Sequence, residues 1–317
     1  MQKARISLLF LVIFSLTVFA FGQDDETVRI ETNLVSVGVV VKDKNGNYVN
    51  GLKKEQFKLF DNKEEREIEF FSESDAPVSY GIIYDLHPTT SDRTRIVLES
   101  LKSFTSDLHE ADDFFTIVFN ERGSLNLDFV PTVEQIETHL SREERNKPNS
   151  LYDAVFLASE KIQGQRNAKK TLIIISDGKD HFSHHSFATL RDQLRRFNLQ
   201  IYSILVNEDE KWNLSDITLE KRRRAVDFDD SVLDRAAIED LSDKSGGKTQ
   251  SSFLRNSRDL LKIYKQIESE MHHQYSIGFY PKTADGKWHS LKVKTDSGNQ
   301  KLTYRKGYQS ASESKEK

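Results

Sequence analysis

Two apolar runs decide the fold of this chain: Tyr80-Gly81-Ile82-Ile83-Tyr84, leading into Asp85-Leu86-His87-Pro88-Thr89, and Ile173-Ile174-Ile175-Ser176, leading into Asp177-Gly178-Lys179-Asp180. A nearly continuous apolar run of strand length is what a strand buried on both faces of a parallel sheet requires. Between and after these runs the pattern alternates. Ile96, Leu98, Leu101, Phe104 and Leu108 have helical spacing, and a strand follows at 114–119 with an extended piece at 125–130. A helix is expected after Pro131-Thr132, with Val133, Ile136 and Leu140 on one face. Further helices are expected at 151–162 and 186–197, a strand at 199–206, a helix ending at Ser245-Gly246-Gly247, and a last helix at 257–271. Strand and helix in alternation specify an α/β class, here a doubly wound, mostly parallel sheet.

The flanks follow a different rule. Val35, Val37, Val39 and Val41 alternate at period two, and Asp43-Lys44-Asn45-Gly46-Asn47 has turn chemistry. A helical turn at 51–57, a strand at 57–60 and another at 68–71 complete the N-terminal part. Beyond residue 272 the alternation returns at 273–280, 288–293 and 302–306, with a turn region at 281–286. Neither flank can bury a two-sided core alone, so the C-terminal strands are expected to complete one small β-sandwich with the N-terminal ones, the α/β part being an insertion. The resulting boundaries are 23–77 and 272–308 for the sandwich, 78–271 for the α/β domain, and a disordered tail at 309–317.

Residues 1–22 differ in kind. Lys3 and Arg5 precede an apolar run at 6–21, and Ala20-Phe21-Gly22 offers small residues before a cleavage point. The run is short for a hydrocarbon core of ~30 Å, so a cleaved signal peptide is expected rather than a retained anchor, and the mature chain is expected in the periplasm or outside the cell with no membrane span. The whole chain has 317 residues, 46 Lys+Arg against 50 Asp+Glu, and no cysteine. Loss of Lys3 and Arg5 leaves 44 basic against 50 acidic residues, a net −6 that argues against nucleic acid as partner. Without cysteine, stability in an oxidising compartment must come from packing. One connection, 207–230, is long for this fold; its Lys221-Arg222-Arg223-Arg224 beside Asp227, Asp229 and Asp230 reads as a solvated helix face or a charged docking loop.

In open α/β sheets ligands bind at the carboxyl ends of the strands. Asp85 and Asp177 both stand there. Two carboxylates at neighbouring strand ends suit a hard divalent cation, which relieves their repulsion; the plainer alternative is that each caps the helix after it.

Four segments in order carry a family resemblance. Asp85-Leu86-His87-Pro88-Thr89 resembles the Asp-x-Ser-x-Ser of von Willebrand factor type A (VWA) domains, Asn149-Ser150-Leu151-Tyr152-Asp153-Ala154 resembles their Thr-x-Leu-Tyr-Asp-Ala, and Ile175-Ser176-Asp177-Gly178-Lys179-Asp180 resembles their Asp-Gly strand end. Leu241-Ser242-Asp243-Lys244-Ser245-Gly246-Gly247-Lys248 resembles their late helix-to-strand turn. The flanking Val39-Lys42-Asp43-Gly46, Leu52-Phe57 and Arg305-Lys306-Gly307-Tyr308 are similar to the secreted VWFA-related subfamily first described in acidobacteria. The resemblance implies a Rossmann-like fold and a metal-ion-dependent adhesion site in which a partner's carboxylate completes the coordination. Asp85 and Asp177 match two ligands, and Thr89 keeps a hydroxyl at a third. His87 stands for a serine and Asn149 for a threonine. Imidazole is a poor ligand for Mg²⁺ and a good one for Zn²⁺, Mn²⁺ or Ni²⁺, so the cation expected is Mg²⁺ or Mn²⁺, Zn²⁺ if His87 ligates, or none. Asp180, His181, His184 and His185 are candidates for the rim of the same site.

Cysteine nucleophiles, a Gly-x-Ser-x-Gly elbow, a phosphate-cradling glycine loop and a His-Glu-x-x-His helix are all missing from the sequence. The expectation is therefore a non-enzymatic, exported adhesion module that holds a protein or cell-envelope ligand. A structural assembly protein without metal and a metal-dependent hydrolase built on His87, Asp177 and His184 are the alternatives.

Overall fold

A computed structural model describes residues 34–73, 75–85, 91–120, 123–132, 134–135, 150–206 and 230–312. The expected signal peptide, most of the helix after Thr132, the 207–229 connection and residues 313–317 lie outside the described residues.

The chain order begins with β1 (Val35–Lys42), a 3-10 turn at Lys54–Gln56, β2 (Phe57–Asp61), β3 (Glu64–Arg66) and β4 (Phe70–Glu73). The α/β series is β5 (Val78–Asp85), α1 (Ser91–Ser106), β6 (Asp113–Asn120), β7 (Gly123–Leu127), α2 (Leu151–Gln163), β8 (Lys169–Ser176), α3 (Phe187–Leu194), β9 (Gln200–Val206), α4 (Asp230–Ser245), β10 (Thr249–Ser252) and α5 (Ser257–His272). The chain then returns to β11 (Gln274–Phe279), β12 (Trp288–Thr295), β13 (Lys301–Thr303) and β14 (Gly307–Gln309).

Six strands form the central sheet in the order β10-β9-β8-β5-β6-β7. All neighbours are parallel except β6 and β7, which pair antiparallel. Counted in chain order this is the doubly wound arrangement 3-2-1-4-5-6, whose switch point falls between β5 and β8. Every residue of β5 is buried. Tyr80, Ile82 and Tyr84 face a layer formed by α1 and α5, with Val97, Leu101, Phe104, Leu260, Tyr264 and Ile267. Ile83, Ile117, Leu172 and Ile174 face α2, α3 and α4 through Ala154, Val155, Ala158, Leu190 and Ile238. Gly81 makes this packing fit, since a Cβ there would lie 2.5 Å from Leu172 Cδ2 and 2.7 Å from Phe115 Cζ.

Two four-stranded antiparallel sheets, β13-β1-β11-β4 and β14-β12-β2-β3, form the sandwich. Strands from the two flanks are interleaved: β1 pairs with β11 from Val35↔Phe279 to Val40↔Gln274, and β2 pairs with β12 from Phe57↔Thr295 to Asp61↔Leu291. Val37, Val39 and Val41 share one core with Phe57, Leu59, Tyr275, Ile277, Phe279, Leu291 and Val293. The α/β and sandwich parts are tied through Glu270 of α5, 4% exposed, which accepts from Lys42 Nζ of β1 at 2.9 Å and Tyr202 OH at 3.2 Å, and pairs with Lys248.

One correction concerns the tail. Residues 309–312, expected to be disordered, are ordered: Gln309 pairs with Trp288, Ser312 bridges Asp285, and Ser310 Oγ donates to Thr283 O at 2.9 Å. Their Ser-rich composition concealed these long-range bonds to the turn at 283–287. Among the described residues no helix is long and apolar enough to cross a membrane.

Candidate functional site

Parallel pairing aligns Tyr84 with Ile175, so Asp85 closes β5 beside Ser176, the last residue of β8, and Asp177 follows. Both carboxylates are buried, at 1% and 2% exposure. Ser176 Oγ donates to Asp85 Oδ2 at 2.7 Å and accepts from Gly178 N–H at 3.0 Å, locking the two strand ends together. Gly178 turns with φ +83°, and a Cβ there would meet Arg235 Cγ of α4 at 2.7 Å. This left-handed turn lets Asp177 Oδ1 accept from Lys179 N–H at 3.0 Å. Asp177 Oδ2 is buried with no hydrogen-bond partner, and the Lys179 ammonium stands 3.5 Å from it.

The candidate rim residues have other partners. Asp180 Oδ1 accepts from Tyr152 N–H at 3.0 Å and Ser183 Oγ at 2.5 Å, capping the first turn of α2. Its own N–H donates to Asp234 Oδ2 of α4 at 3.1 Å, and Asp234 Oδ1 accepts from Tyr152 OH at 2.5 Å. Burial raises the Asp234 carboxyl above its usual range, with the Asp180 charge adding to it. His184 and His185 both turn to Asp153 of α2. Asp153 Oδ2 accepts from the backbone N–H and Nδ1 of His184 at 2.9 and 3.1 Å, and Oδ1 from those of His185 at 2.9 and 2.7 Å. The His185 ring also stacks on Phe156, centroids 4.0 Å apart. Burial would raise the Asp153 carboxyl, but the four donors outweigh it and hold it at about 2.

Asp85 and Asp177 thus come together at the switch point, while Asp180, His184 and His185 fasten the 178–186 loop to α2. His181, also a rim candidate, lies in this loop and is exposed. His184 and His185, the other two histidine candidates, both hydrogen-bond to Asp153. Asp153 stands in the first turn of α2 and presents its carboxylate to this loop. His87, Thr89 and Asn149 lie outside the described residues. Among the described residues no group of three or more His, Cys, Asp or Glu side chains is placed to hold a metal ion. Ser176, Lys179, Tyr152, Asp153 and Asp234 were not singled out by sequence. The signal for the first two was adjacency to Asp177, and for Tyr152 and Asp153 membership of the Leu151-Tyr152-Asp153-Ala154 segment; nothing local marks Asp234.

No family model and no curated protein matches the chain. Solved structures similar in fold include a von Willebrand factor type A protein from Catenulispora acidiphila, 11% identical with a TM-score of 0.40, over 90% of this chain and 76% of that one. An aerotolerance-related membrane protein from Bacteroides fragilis is 12% identical with a TM-score of 0.39, over 61% of this chain and 99% of that one. The PilB minor pilin from Streptococcus sanguinis, as its D319A mutant, is 10% identical with a TM-score of 0.40, over 62% of each chain.

Proposed function

We propose that this chain is an exported binding module of the VWA type, which holds a protein or cell-envelope ligand at the carboxyl edge of its central sheet and performs no catalysis. The observation that carries the reading is the pair of buried carboxylates at the switch point, one with an oxygen, Asp177 Oδ2, that no donor satisfies. A buried carboxylate oxygen without a donor is costly unless a cation faces it. The donor set fits a hard divalent cation. Asp85 and Asp177 would hold it, with Thr89, Asn149 and His87 supplying the remaining positions by resemblance to the family. When bound, such an ion neutralises the two carboxylates and attracts an acidic group of the partner. Asp177 is held by the Gly178 turn and Asp85 by Ser176.

A second reading has its own support. The Lys179 ammonium, 3.5 Å from Asp177 Oδ2, supplies a positive charge without any metal. Thermal melts of the mature protein in Mg²⁺, Mn²⁺ and Zn²⁺ separate the two. Metal at about 100 times its Kd stabilises by about 2.7 kcal/mol, and Asp177→Asn abolishes the rise. His87→Ser shifts preference towards Mg²⁺ if the imidazole is a ligand. A wild-type melting temperature indifferent to all three ions overturns the metal reading and leaves a surface organised by Lys179.

A further inference from the structure

The turn between β13 and β14 carries a buried arginine for which the binding edge has no use. Arg305 is only 9% exposed, yet it makes no ion pair or hydrogen bond through its guanidinium with any described residue, and its Nε is buried and unpartnered. The turn is held at the amino end of the central sheet, opposite Asp85 and Asp177. Lys306 N–H donates to Lys244 O at 2.8 Å, and Gly246 leaves room for the turn, since a Cβ there would lie 2.5 Å from Arg305 N. Asp61, which accepts from Tyr308 OH at 3.3 Å, is already engaged by His289 at 2.8 Å and Arg66 at 3.4 Å.

Arg305 opens into a recess whose charged lining is wholly basic: Arg191 and Arg195 from the α3 segment, Lys244 from the end of α4, and Arg305 itself. The neighbouring acids lie on the outer surface, Asp192 against Arg191 and Arg195 at 3.3 and 3.4 Å and Asp240 against Lys244 at 2.8 Å. Arg195 lies over the Trp288 ring at 4.8 Å, and its Nε is also buried without a partner. Leu199, Ile201 and Leu241 make the floor apolar. Burial lowers the Arg305 guanidinium to about 10, so it remains a cation at neutral pH. A buried cation without a counter-charge is destabilising, and the partial negative charge at the end of α4 offsets only a part of it. The guanidinium fork matches the oxygens of phosphate, sulfate or carboxylate. About 40 Å³ is open to the centres of water-sized molecules, against the ~10–15 Å³ that one water needs, so the enclosed part of the recess admits a group of a few heavy atoms.

We propose that this recess is a second binding site, specific for a small oxyanion of the phosphate or sulfate kind, clasped by Arg305 from within and by Arg191, Arg195 and Lys244 at its mouth. The anion is either the free ion or the head of a phosphate ester, and the site is independent of the carboxyl edge.

Calorimetric titration of the full chain with inorganic phosphate, sulfate, glycerol phosphate and acetate tests it. The expected result is saturable binding of phosphate or sulfate at Kd of about 1 mM or tighter, weakened about tenfold in Arg305→Met. Arg195→Gln, at a partly exposed position, weakens it severalfold. Binding of glycerol phosphate as tight as that of phosphate assigns an esterified head; binding of the inorganic ions alone assigns the free ion. In anion-free buffer Arg305→Met melts at or above the wild-type temperature, because the uncompensated charge is gone, and phosphate raises the melting temperature of wild type only. Unsaturable titrations, binding of acetate but of neither phosphate nor sulfate, or equal phosphate affinity in wild type, Arg305→Met and Arg195→Gln overturns the proposal.

Discussion

Asp153→Asn tests whether the loop after Asp177 is held by charge. The carboxylate accepts four hydrogen bonds, two from backbone N–H groups and two from imidazole Nδ1 atoms, over 2.7 to 3.1 Å. These donors outweigh the opposing effect of burial and lower the carboxyl from 3.8 to about 2. That difference corresponds to about 2 kcal/mol. With a quarter of the side chain exposed, solvent screening reduces it to about 1 kcal/mol. Because the folded value is depressed, this stability is present in full above pH 3.8 and is lost as pH falls through about 2. Urea denaturation of wild type and Asp153→Asn is therefore expected to show a gap of about 1 kcal/mol, unchanged between neutral and mildly acid pH and about half as large near pH 3. The amides of His184 and His185 should exchange hydrogen faster in the variant. A gap that is constant down to pH 3 refutes an ionic clasp.

His289 behaves with the opposite sign. Burial alone would lower its pKa, but Asp61 at Nδ1 (2.8 Å) and Asp285 at Nε2 (3.1 Å) raise it above 6.5. Its contribution is full below pH 6.5 and is lost as pH rises through the folded value. The stability advantage of wild type over His289→Gln, measured by chemical denaturation, should shrink from mildly acid to alkaline pH, and an advantage that grows with pH contradicts the assignment. Ending the chain after His272 removes β11 and β13 from either side of β1, and β12, with β14 beyond it, from beside β2. The expected outcome is aggregation through the exposed edges, checked by light scattering; a soluble, cooperatively melting product would refute the interleaved sandwich.

Periodicity alone determined the kinds of element and the faces they bury. The run from Tyr80 to Tyr84 and the run from Ile173 to Ile175 are apolar at every position because both faces are covered, while Val35, Val37, Val39 and Val41 alternate because one face of β1 lines the sandwich core; the burial of Val40 on the other face was not legible from that alternation. The aspartates at the strand ends were legible for the same reason, since a charge ends an apolar run. Partners distant in sequence were not. His184 and His185 lie close to Asp177 along the chain, yet Asp153, about 30 residues away, claims them both, because the N-terminal turn of α2 reaches the loop first. Arg305 is one cation among 46 basic residues in the sequence, and only the docking of its turn on the end of α4 buries it without a counter-charge. Residue type and spacing encode which side of an element turns inward; what that side meets depends on packing between segments a hundred or more residues apart, which no local pattern records.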